Sequence, residues 1–552
     1  MVTSRTAEIK ATVNHIKNDT CAESAPLTEY LLKLIGVDKV ISSFNGTRMP
    51  LYRILIMFIG MSGYGLEHIS QLFRDQKLRG KVEFCQATLY NALKHYGIDW
   101  MGLTFYISER VAKLLLGKCR QVYFVVDDTL VVRDSSKFVD LICRVFDHNE
   151  KKYHKGFTIL TLGVTAPGKP FIPLYFRVLS SSNESNVLYD RDKHHSAKHG
   201  QSSRNKAKAH KRRNSAAMAR VKARGHKMDA LIEMLENAIA ADIGADTVLM
   251  DSWFSAPKNV KRITDLKLHV ITMLKVGSAK YTTYDGKTVT TKGILDEIKA
   301  SKTNKSIARE LYVQLDGGLQ GKLIFAKNWS KDGSAKRRPY IPLLTTHTSW
   351  SGPEICDGYE LRWNIEVFYN QLKNGFYLQS GNQTRLFESN LALICLTHIR
   401  YTIAVLAQDH MSPAEEQLSL SEVCHLLNLE TTYDDAIEAV RHRIKNAYNA
   451  VDKAVSEIGD ELRSKLDPQT ATTWQRKILE ILHRNLDQEF VSSLKAEPWY
   501  IRVMLDNKVK SGNIVVSNQF LKSTNGVNKP MFERFEAYIW RVLKIANFVK
   551  RS

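Results

Sequence analysis

The sequence predicts a multidomain α/β protein in which an α/β region carries a β-rich insertion and is flanked by helical regions. Three observations indicate this fold class. Strand-like apolar runs alternate with an amphipathic helix between residues 119 and 275. Two hairpin signals fall within residues 276–340, and helical spacing of apolar residues dominates both ends of the chain. The 552 residues allow several domains, at about 100–200 residues per domain.

Residues 1–118 are predicted to form a helical, DNA-binding domain. One helix is expected in GLEHISQLFRD and a second around Ala87–His95. Two short helices with a break between them are compatible with a helix-turn-helix, although a helical packing domain gives the same pattern. Residues 411–552 are again helical and are assigned dimerisation or DNA contacts by elimination. The apolar positions of the first helix are Leu66, Ile69, Leu72 and Phe73.

Residues 119–275 and 341–410 are predicted to be two parts of one α/β domain, separated by the insertion at residues 276–340. The first part contains the strands QVYFVVDD, GFTILTLGV and PFIPLYFRVL, then the helix MDALIEMLENAIAADIG, then the strands TVLMD and LHVITMLKV. This order indicates a partly antiparallel sheet. In the insertion, β-forming residues flank Asp285-Gly286 and Asp316–Gly318, which is typical of hairpins.

The charge distribution predicts a polyanionic partner. Lys and Arg total 79 against 57 Asp and Glu, so the net charge is +22, and nucleic acid is expected before an anionic membrane. Residues 191–227 hold thirteen Lys and Arg against the single Asp192. A solvated loop or a localisation signal explains such a run, but an arm that contacts DNA phosphates fits its charge density better. The candidates in this arm are Arg204, Lys206, Lys208, Lys211, Arg212 and Arg213.

Neither a membrane span nor a cysteine framework is expected. The apolar stretches Leu51–Met61 and Leu391–Ala407 contain charged or polar residues, and a span requires roughly 20 apolar residues. The N-terminus has no hydrophobic signal region, so we expect a cytoplasmic protein without a membrane partner. The seven cysteines form no Cys-x-x-Cys pair and are expected to be buried, reduced thiols.

Two acidic positions follow apolar strands, where a carboxylate can point into the crevice beyond a sheet. In QVYFVVDDT, the apolar run from Val122 to Val126 is expected to end at Asp127 and Asp128. In TVLMDSWFS, the run ends at Asp251, which is also suited to cap the following helix. Capping alone would explain Asp251, so its role depends on the other carboxylates.

The third acidic position, Glu366, lies in a segment expected to be one continuous helix, PEICDGYELRWNIEVFYNQLK. At about 100° per residue, a single stripe about 60° wide contains Tyr359, Arg362, Glu366 and Lys373. The apolar residues fall on the opposite side. A solvated face with intrahelical ion pairs accounts for Arg362 and Lys373, at a few tenths of a kcal/mol per pair. It does not account for the gathering of groups that suit phosphate and metal.

The three acidic positions predict an oxygen-only metal site in a basic protein. Carboxylates without His or Cys select hard cations such as Mg²⁺ or Mn²⁺, and three of them can hold two ions on either side of a phosphodiester. One ion activates the attacking hydroxyl and the other stabilises the leaving oxygen. Arg362 offers two parallel hydrogen bonds to a phosphate, whereas Lys373 offers a point charge.

These motifs resemble a known family. The string Y-x2-R-x3-E-x6-K, here Tyr359, Arg362, Glu366 and Lys373, is similar to the signature of the cut-and-paste bacterial insertion-sequence DDE transposases of the insertion-sequence-four type. The strings VVDDT, KGFTILTLGV and VLMDSWFS resemble the first and second catalytic regions of that group. The resemblance covers roughly residues 121–410, and the motifs are specific because they occur together in order.

The resemblance implies an RNase H-like catalytic domain in which Asp, Asp and Glu bind two Mg²⁺ ions, with Mn²⁺ able to substitute. The second Asp and the Glu are Asp251 and Glu366. Of the two candidates for the first, we choose Asp128 over Asp127, because Asp128 stands directly before Thr129. A regular strand would point the two side chains to opposite faces.

The resemblance also implies the reaction and the partners. The expected steps are nicking of each transposon end, hairpin formation and opening, and strand transfer. The partners would be double-stranded DNA, as terminal inverted repeats and target, and a second copy of the chain, in a bacterial, nucleoid-associated setting. Tyr359, Arg362 and Lys373 would hold phosphates near the cut, and Trp329 or Trp350 would stack on a flipped base.

Two alternatives remain open at this point. The first is an RNase H-like nuclease or resolvase without transposition, which the signature helix and the insertion disfavour. The second is a catalytically inactive, transposase-derived DNA-binding protein, which the presence of all three carboxylates disfavours. Inverted repeats beside the gene would separate a mobile element from both.

Overall fold

The computed structural model of the chain describes residues 27–60, 68–74, 84–147, 150–196, 215–328, 338–381, 384–411, 419–420, 423, 452–453, 455–457, 460, 463–464 and 466–494. The chain divides into two compact units, one of Leu31–His425 and one of Met1–Tyr30 with Leu426–Ser552. The following sequence predictions lie outside the described residues: Arg204, Lys206, Lys208, Lys211, Arg212, Arg213 and Trp329.

The first unit contains all the described strands and the described helices from α2 to α14. The helices are α1 (Leu27–Leu34), α2 (Val37–Val40), α3 (Leu51–Gly60), α4 (Ile69–Arg74), α5 (Gln86–Lys94), α6 (Trp100–Leu116), α7 (Arg191–Ser196), α8 (Ser215–Lys222), α9 (Lys227–Ala240), α10 (Pro257–Thr264), α11 (Thr291–Ala300), α12 (Gly352–Glu360), α13 (Trp363–Asn374), α14 (Phe387–Met411) and, in the second unit, α15 (Pro468–Leu494). The strands are β1 (Tyr123–Val132), β2 (Cys143–Asp147), β3 (Lys152–Thr165), β4 (Ile172–Leu179), β5 (Thr247–Met250), β6 (His269–Met273), β7 (Lys280–Thr283), β8 (Thr288–Thr290), β9 (Ile307–Gln314), β10 (Gln320–Lys327) and β11 (Tyr340–Thr345).

The strands form one mixed sheet, which confirms the predicted α/β class. Their order is β2-β3-β1-β5-β6-β11-β10-β9-β7-β8, and β4 pairs with β3. Only the central pairs β1–β5 and β5–β6 run parallel among the described strands. Helices cover this central part, so its strands are apolar on both faces and fully buried, as in β5.

Strand β1 is longer than the sequence predicted. The expected end at Asp127 and Asp128 is wrong, because β3 pairs with β1 antiparallel along its whole length, from Tyr123 to Val132. On the other side, β5 pairs only as far as Val126 opposite Met250. The two aspartates therefore sit where β1 keeps one neighbouring strand and loses the other, which opens a crevice on one side.

The insertion continues the central sheet. Strands β7 and β8 form a hairpin around Gly286, whose φ of 79° suits glycine at this turn. Strands β9 and β10 form a second pair around Gly317 and Gly318. Strand β10 joins β11, and β11 joins β6, so these strands extend the sheet from its parallel centre. Helix α11 between the two pairs was not predicted.

Helix α14 is the core helix of the first unit. By length and composition, residues Phe387–Asp409 could cross a membrane, but 94% of this apolar window is buried inside the protein. On one side it meets α13, where the Phe368 ring lies 4.8 Å from the Tyr401 ring. Arg400 interrupts the apolar run of this helix. Its side chain is also buried, and its Nε donates a hydrogen bond to the Phe58 carbonyl at 2.7 Å.

The described cysteines are free thiols, as expected. Their burial was predicted less well: Cys143 and Cys395 are buried, whereas Cys85 is exposed at the start of α5. Cys119 and Cys356 are partly buried.

Candidate active site

Asp127 and Asp251 are brought together by strand register. Strands β1 and β5 run parallel with Val126 opposite Met250, so the next residues, Asp127 within β1 and Asp251 just after β5, lie side by side. Asp251 does not cap α10, whose N-cap is Ala256. Its Oδ1 instead accepts a hydrogen bond from the Trp253 backbone N–H at 2.9 Å, which fixes the turn after β5.

The signature segment is two helices joined by a tight turn, so the prediction of one continuous helix is wrong. At the junction, Arg362 N–H donates to the Tyr359 carbonyl at 3.0 Å, and Ile365 N–H donates to the Arg362 carbonyl at 3.2 Å. Bonds between residues three apart wind the chain faster than an α-helix does. Tyr359, at the end of the first of these helices, is buried, with 5% of its surface exposed.

Arg362 connects the carboxylates. Its Nη2 lies 2.6 Å from Oε1 of Glu366, and its Nη1 lies 3.6 Å from Oδ2 of Asp127. It also lowers the pKa of Asp251 by electrostatic attraction, against the larger opposing effect of burial. Arg362 thus interacts with carboxylates from three elements: β1, the turn after β5 and α13.

The site concentrates negative charge in a partly dry crevice. Burial, followed by repulsion from Asp251, raises the pKa of Asp127 to about 7. Burial is also the main reason that the pKa of Asp251 is raised. Despite burial, the neighbouring Tyr359, Glu366 and Asp127 hold the pKa of Arg362 above its usual range. Burial removes much of the water that would otherwise stabilise the carboxylates, and the positive charge of Arg362 partly replaces it.

Asp128 has a different partner. Its Oδ1 lies 2.7 Å from Nζ of Lys227, the first residue of α9. The same ammonium lies 4.1 Å from the ring centroid of Trp253. Asp128 still contributes repulsion at Asp251, so it borders the site, but its carboxylate is held by a lysine on another element.

Two tyrosines stiffen the site. The Tyr369 hydroxyl donates to the Asp127 carbonyl at 2.8 Å, which links α13 to β1. The Tyr359 ring lies 5.7 Å from the Arg362 guanidinium, and burial raises the pKa of Tyr359 to about 12. The buried Tyr359 hydroxyl has no hydrogen bond of normal geometry within the described part of the chain. The Arg362 side chain and the Met273 backbone lie beside this hydroxyl.

The remaining predicted residues lie apart from the carboxylates. Lys373 is half-buried on α13; burial lowers its pKa, and its acidic neighbour is Asp147. Trp350 stacks on His347 with ring centroids 3.8 Å apart and meets Tyr123 edge-on at 6.5 Å. Trp350 therefore lies at the start of β1. Tyr123 and Asp127 are four residues apart, which is roughly 13 Å along the strand at about 3.3 Å per residue.

The donor atoms of the site suit a hard cation. Asp127, Asp251 and Glu366 offer only oxygen, which Mg²⁺ and Mn²⁺ prefer. Within the described ranges, the group of ligand atoms that already lie within 4.8 Å of one another is a different one, on the β2–β3 hairpin: Asp147, Glu150 and His154. There, Nδ1 of His154 is 2.6 Å from Asp134 and Nε2 is 3.3 Å from Glu150, so both ring nitrogens have acidic partners.

Sequence reasoning placed Lys227 in the basic run but not beside a carboxylate, and it did not single out Trp253. The available signals were weak: Trp253 stands two residues after Asp251, and Lys227 is the last basic residue of the run, at the start of an amphipathic helix. Neither pattern reveals that the lysine lies over the indole, because α9 and the turn after β5 meet only in the folded chain.

Comparison with known proteins gives two matching family models. Residues 77–292 match the model described as DDE superfamily endonuclease. Residues 190–403 match the model described as Transposase DDE domain. The curated proteins gave no match. The two matched ranges together include Asp127, Asp251 and Glu366.

Proposed function

We propose that this chain, which carries a DDE-type transposase domain within residues 77–403, is a metal-dependent DNA transposase that moves an insertion sequence by a cut-and-paste route. The observation that carries the proposal is the convergence of Asp127, Asp251 and Glu366 on Arg362. The net charge of +22 favours DNA as the substrate, since it offsets the repulsion between a phosphodiester and three acids.

The metal ligands in this proposal are Asp127, Asp251 and Glu366, with Asp127 in the place that sequence reasoning gave to Asp128. The contact with Arg362 and the repulsion between Asp127 and Asp251 support the change. Bound divalent cations, Mg²⁺ or in its place Mn²⁺, would supply activation of the attacking hydroxyl and stabilisation of the leaving oxygen. Their positive charge would also replace part of what Arg362 now provides.

Arg362 and Tyr359 are the residues that would hold the DNA phosphate. A guanidinium can form two parallel hydrogen bonds to a phosphate, and the Tyr359 hydroxyl beside it has no hydrogen bond of normal geometry to the residues described. Lys373, seven residues after Glu366 on α13, would contact a more distant phosphate. The basic residues from Lys198 to Arg213, which lie outside the described residues, would add contacts that do not depend on DNA sequence. The described members of the run are paired inside the protein, as Arg220 is with Asp140 and Asp190.

The finer features of the proposal come from the signature Y-x2-R-x3-E-x6-K. They are membership of the insertion-sequence-four type, recognition of terminal inverted repeats and target DNA, hairpin formation at the ends, action as a homodimer, and a cytoplasmic, nucleoid-associated location. Trp329 in the insertion keeps its proposed role at a flipped base.

The test is excision from a plasmid that carries the gene with its native flanking DNA, using the purified full chain and Mg²⁺. Wild type should release a fragment, and Glu366→Gln should bind the flanks without releasing it. Glu360→Gln, an exposed glutamate on the preceding helix, is the matched control and should excise normally. Excision by Glu366→Gln would remove Glu366 from the site. Cleavage without excision would leave an endonuclease, and binding without cleavage would leave a DNA-binding protein.

The two aspartates are separated by Asp127→Asn and Asp128→Asn in the same assay. The first change should abolish cleavage, whereas the second should leave a reduced activity, because it only releases Lys227. The reverse ranking would restore Asp128 as the first ligand.

A further inference from the structure

Lys227 and Trp253 form a small feature at the border of the carboxylates. The Lys227 ammonium lies between Oδ1 of Asp128, at 2.7 Å, and the ring of Trp253, at 4.1 Å from the centroid. A lysine in this position is held from two sides and needs little further ordering to contact a ligand. It brings positive charge to the edge of a strongly acidic crevice.

The indole of Trp253 has the Lys227 ammonium over its ring, and part of the ring is exposed to solvent. Its ring meets Phe254 edge-on at a centroid distance of 4.9 Å, and Phe254 is completely buried. Trp253 itself is 44% exposed, although its backbone is fixed by the Asp251 carboxylate. A large aromatic surface is thus presented to solvent by a rigid turn, two residues from an acid of the site.

This combination fits one nucleotide. A lysine provides a point charge for a backbone phosphate, and an exposed aromatic ring provides a stacking surface for a base of any sequence. In an intact duplex both faces of each base are already stacked. The ring is therefore suited to a base that is unpaired, at a strand end or at an opened step.

We infer that Lys227 and Trp253 form a binding subsite for an unpaired nucleotide of the cleaved strand, with the phosphate on the lysine and the base on the indole. The inference rests on the proposed function and adds two residues to it. Asp128 is then a positioning residue, since its carboxylate holds the lysine over the ring. Of the basic residues between 191 and 227, this subsite uses only Lys227.

The test measures binding of the metal-free full chain to a labelled oligodeoxythymidylate and to a random-sequence duplex, over a series of salt concentrations. Trp253→Leu should weaken binding of the single strand by about 5-fold to 100-fold, leave the salt dependence unchanged and affect the duplex less. Trp253→Phe, which keeps an aromatic face, should retain most of the affinity.

Lys227→Met should lower the slope of log affinity against log salt by about 0.7 for the single strand. Lys227→Arg should restore the slope. Lys261→Met is the matched control, because Lys261 is an exposed lysine on α10 paired with Asp265. It removes the same charge and should leave the slope at the wild-type value.

The results separate the inference from the function on which it rests. If wild type binds both DNAs and Trp253→Leu binds the single strand equally well, the stacking surface is wrong. If Lys227→Met and Lys261→Met change the slope alike, the phosphate contact is wrong. If wild type binds neither DNA, the proposed function fails together with the inference. Thermal unfolding of each variant shows whether it is folded.

Discussion

Replacing Asp127 by Asn should make the stability of the first unit less sensitive to pH. The pKa of this carboxyl is about 7 in the folded chain, against an ordinary value of 3.8. Between these values the folded state holds a proton that the unfolded chain releases, so the free energy of unfolding falls as the pH rises through this window. At about 1.4 kcal/mol per pKa unit, the wild type should lose roughly 2–3 kcal/mol between pH 5 and pH 8 through this group.

The Asp127→Asn variant lacks this loss because its amide does not titrate. Urea unfolding at pH 5, 6, 7 and 8, in the absence of divalent metal, should give two stability curves that diverge as the pH rises, with the variant the more stable at pH 8. Asp265→Asn is the control. It removes an exposed carboxylate from a surface ion pair, which contributes about 0–1 kcal/mol, and its curve should run parallel to that of the wild type.

Parallel curves for wild type and Asp127→Asn would refute the reasoning. They would mean that water reaches the Asp127 carboxyl, or that attraction to Arg362 fully cancels the effects of burial and of repulsion from Asp251 on its pKa. A variant that is less stable at every pH, with the same pH dependence, would assign Asp127 a purely structural role.

Three further changes test the packing that positions the site. Phe368→Ala on α13 should lower the free energy of unfolding by about 3–5 kcal/mol, since this buried ring packs against Phe171 at 4.9 Å; a loss under 1 kcal/mol in urea would show that the pocket collapses. Gly163→Ala should cost about 1–3 kcal/mol, because a methyl group there collides with the Phe171 ring; an unchanged melting temperature would contradict this contact. Arg220→Met should cost about 3–5 kcal/mol, because it leaves Asp140 buried without its ion pair; thermal unfolding equal to that of wild type would show that water enters.

The positions of the acids were predictable because they depend on local patterns. An apolar run followed by Asp marks where the fully buried part of a strand ends, and this was sufficient to find the region of Asp127 and the turn at Asp251. The hairpin at Gly286 was equally predictable, since its conformation is dictated by a few adjacent residues. The surroundings of Asp127 and Asp128 were not predictable, because the pairing of β1 with β3 and β5 sets what lies beside each of them.

The signature segment shows what spacing alone could and could not predict. The calculation of a stripe assumed one helical pitch across Leu361 and Arg362, but the chain tightens there. Arg362 still lies beside the Tyr359 ring and contacts Glu366 at 2.6 Å, whereas the burial of Tyr359 depends on packing that the spacing does not contain. A periodicity argument holds within about a turn of its origin and loses accuracy across each junction.

Charge balance links the site residues with each other. Four acids lie in or beside the crevice: Asp127, Asp128, Asp251 and Glu366. The chain offsets their charge with two cations from different elements, Arg362 beside Asp127 and Glu366, and Lys227 beside Asp128. In the proposed function, divalent cations take over part of that role and leave the basic groups free to bind phosphate. Metal and DNA would then strengthen each other's binding, because the same Arg362 changes partner, and linkage requires the effect to be equal in both directions.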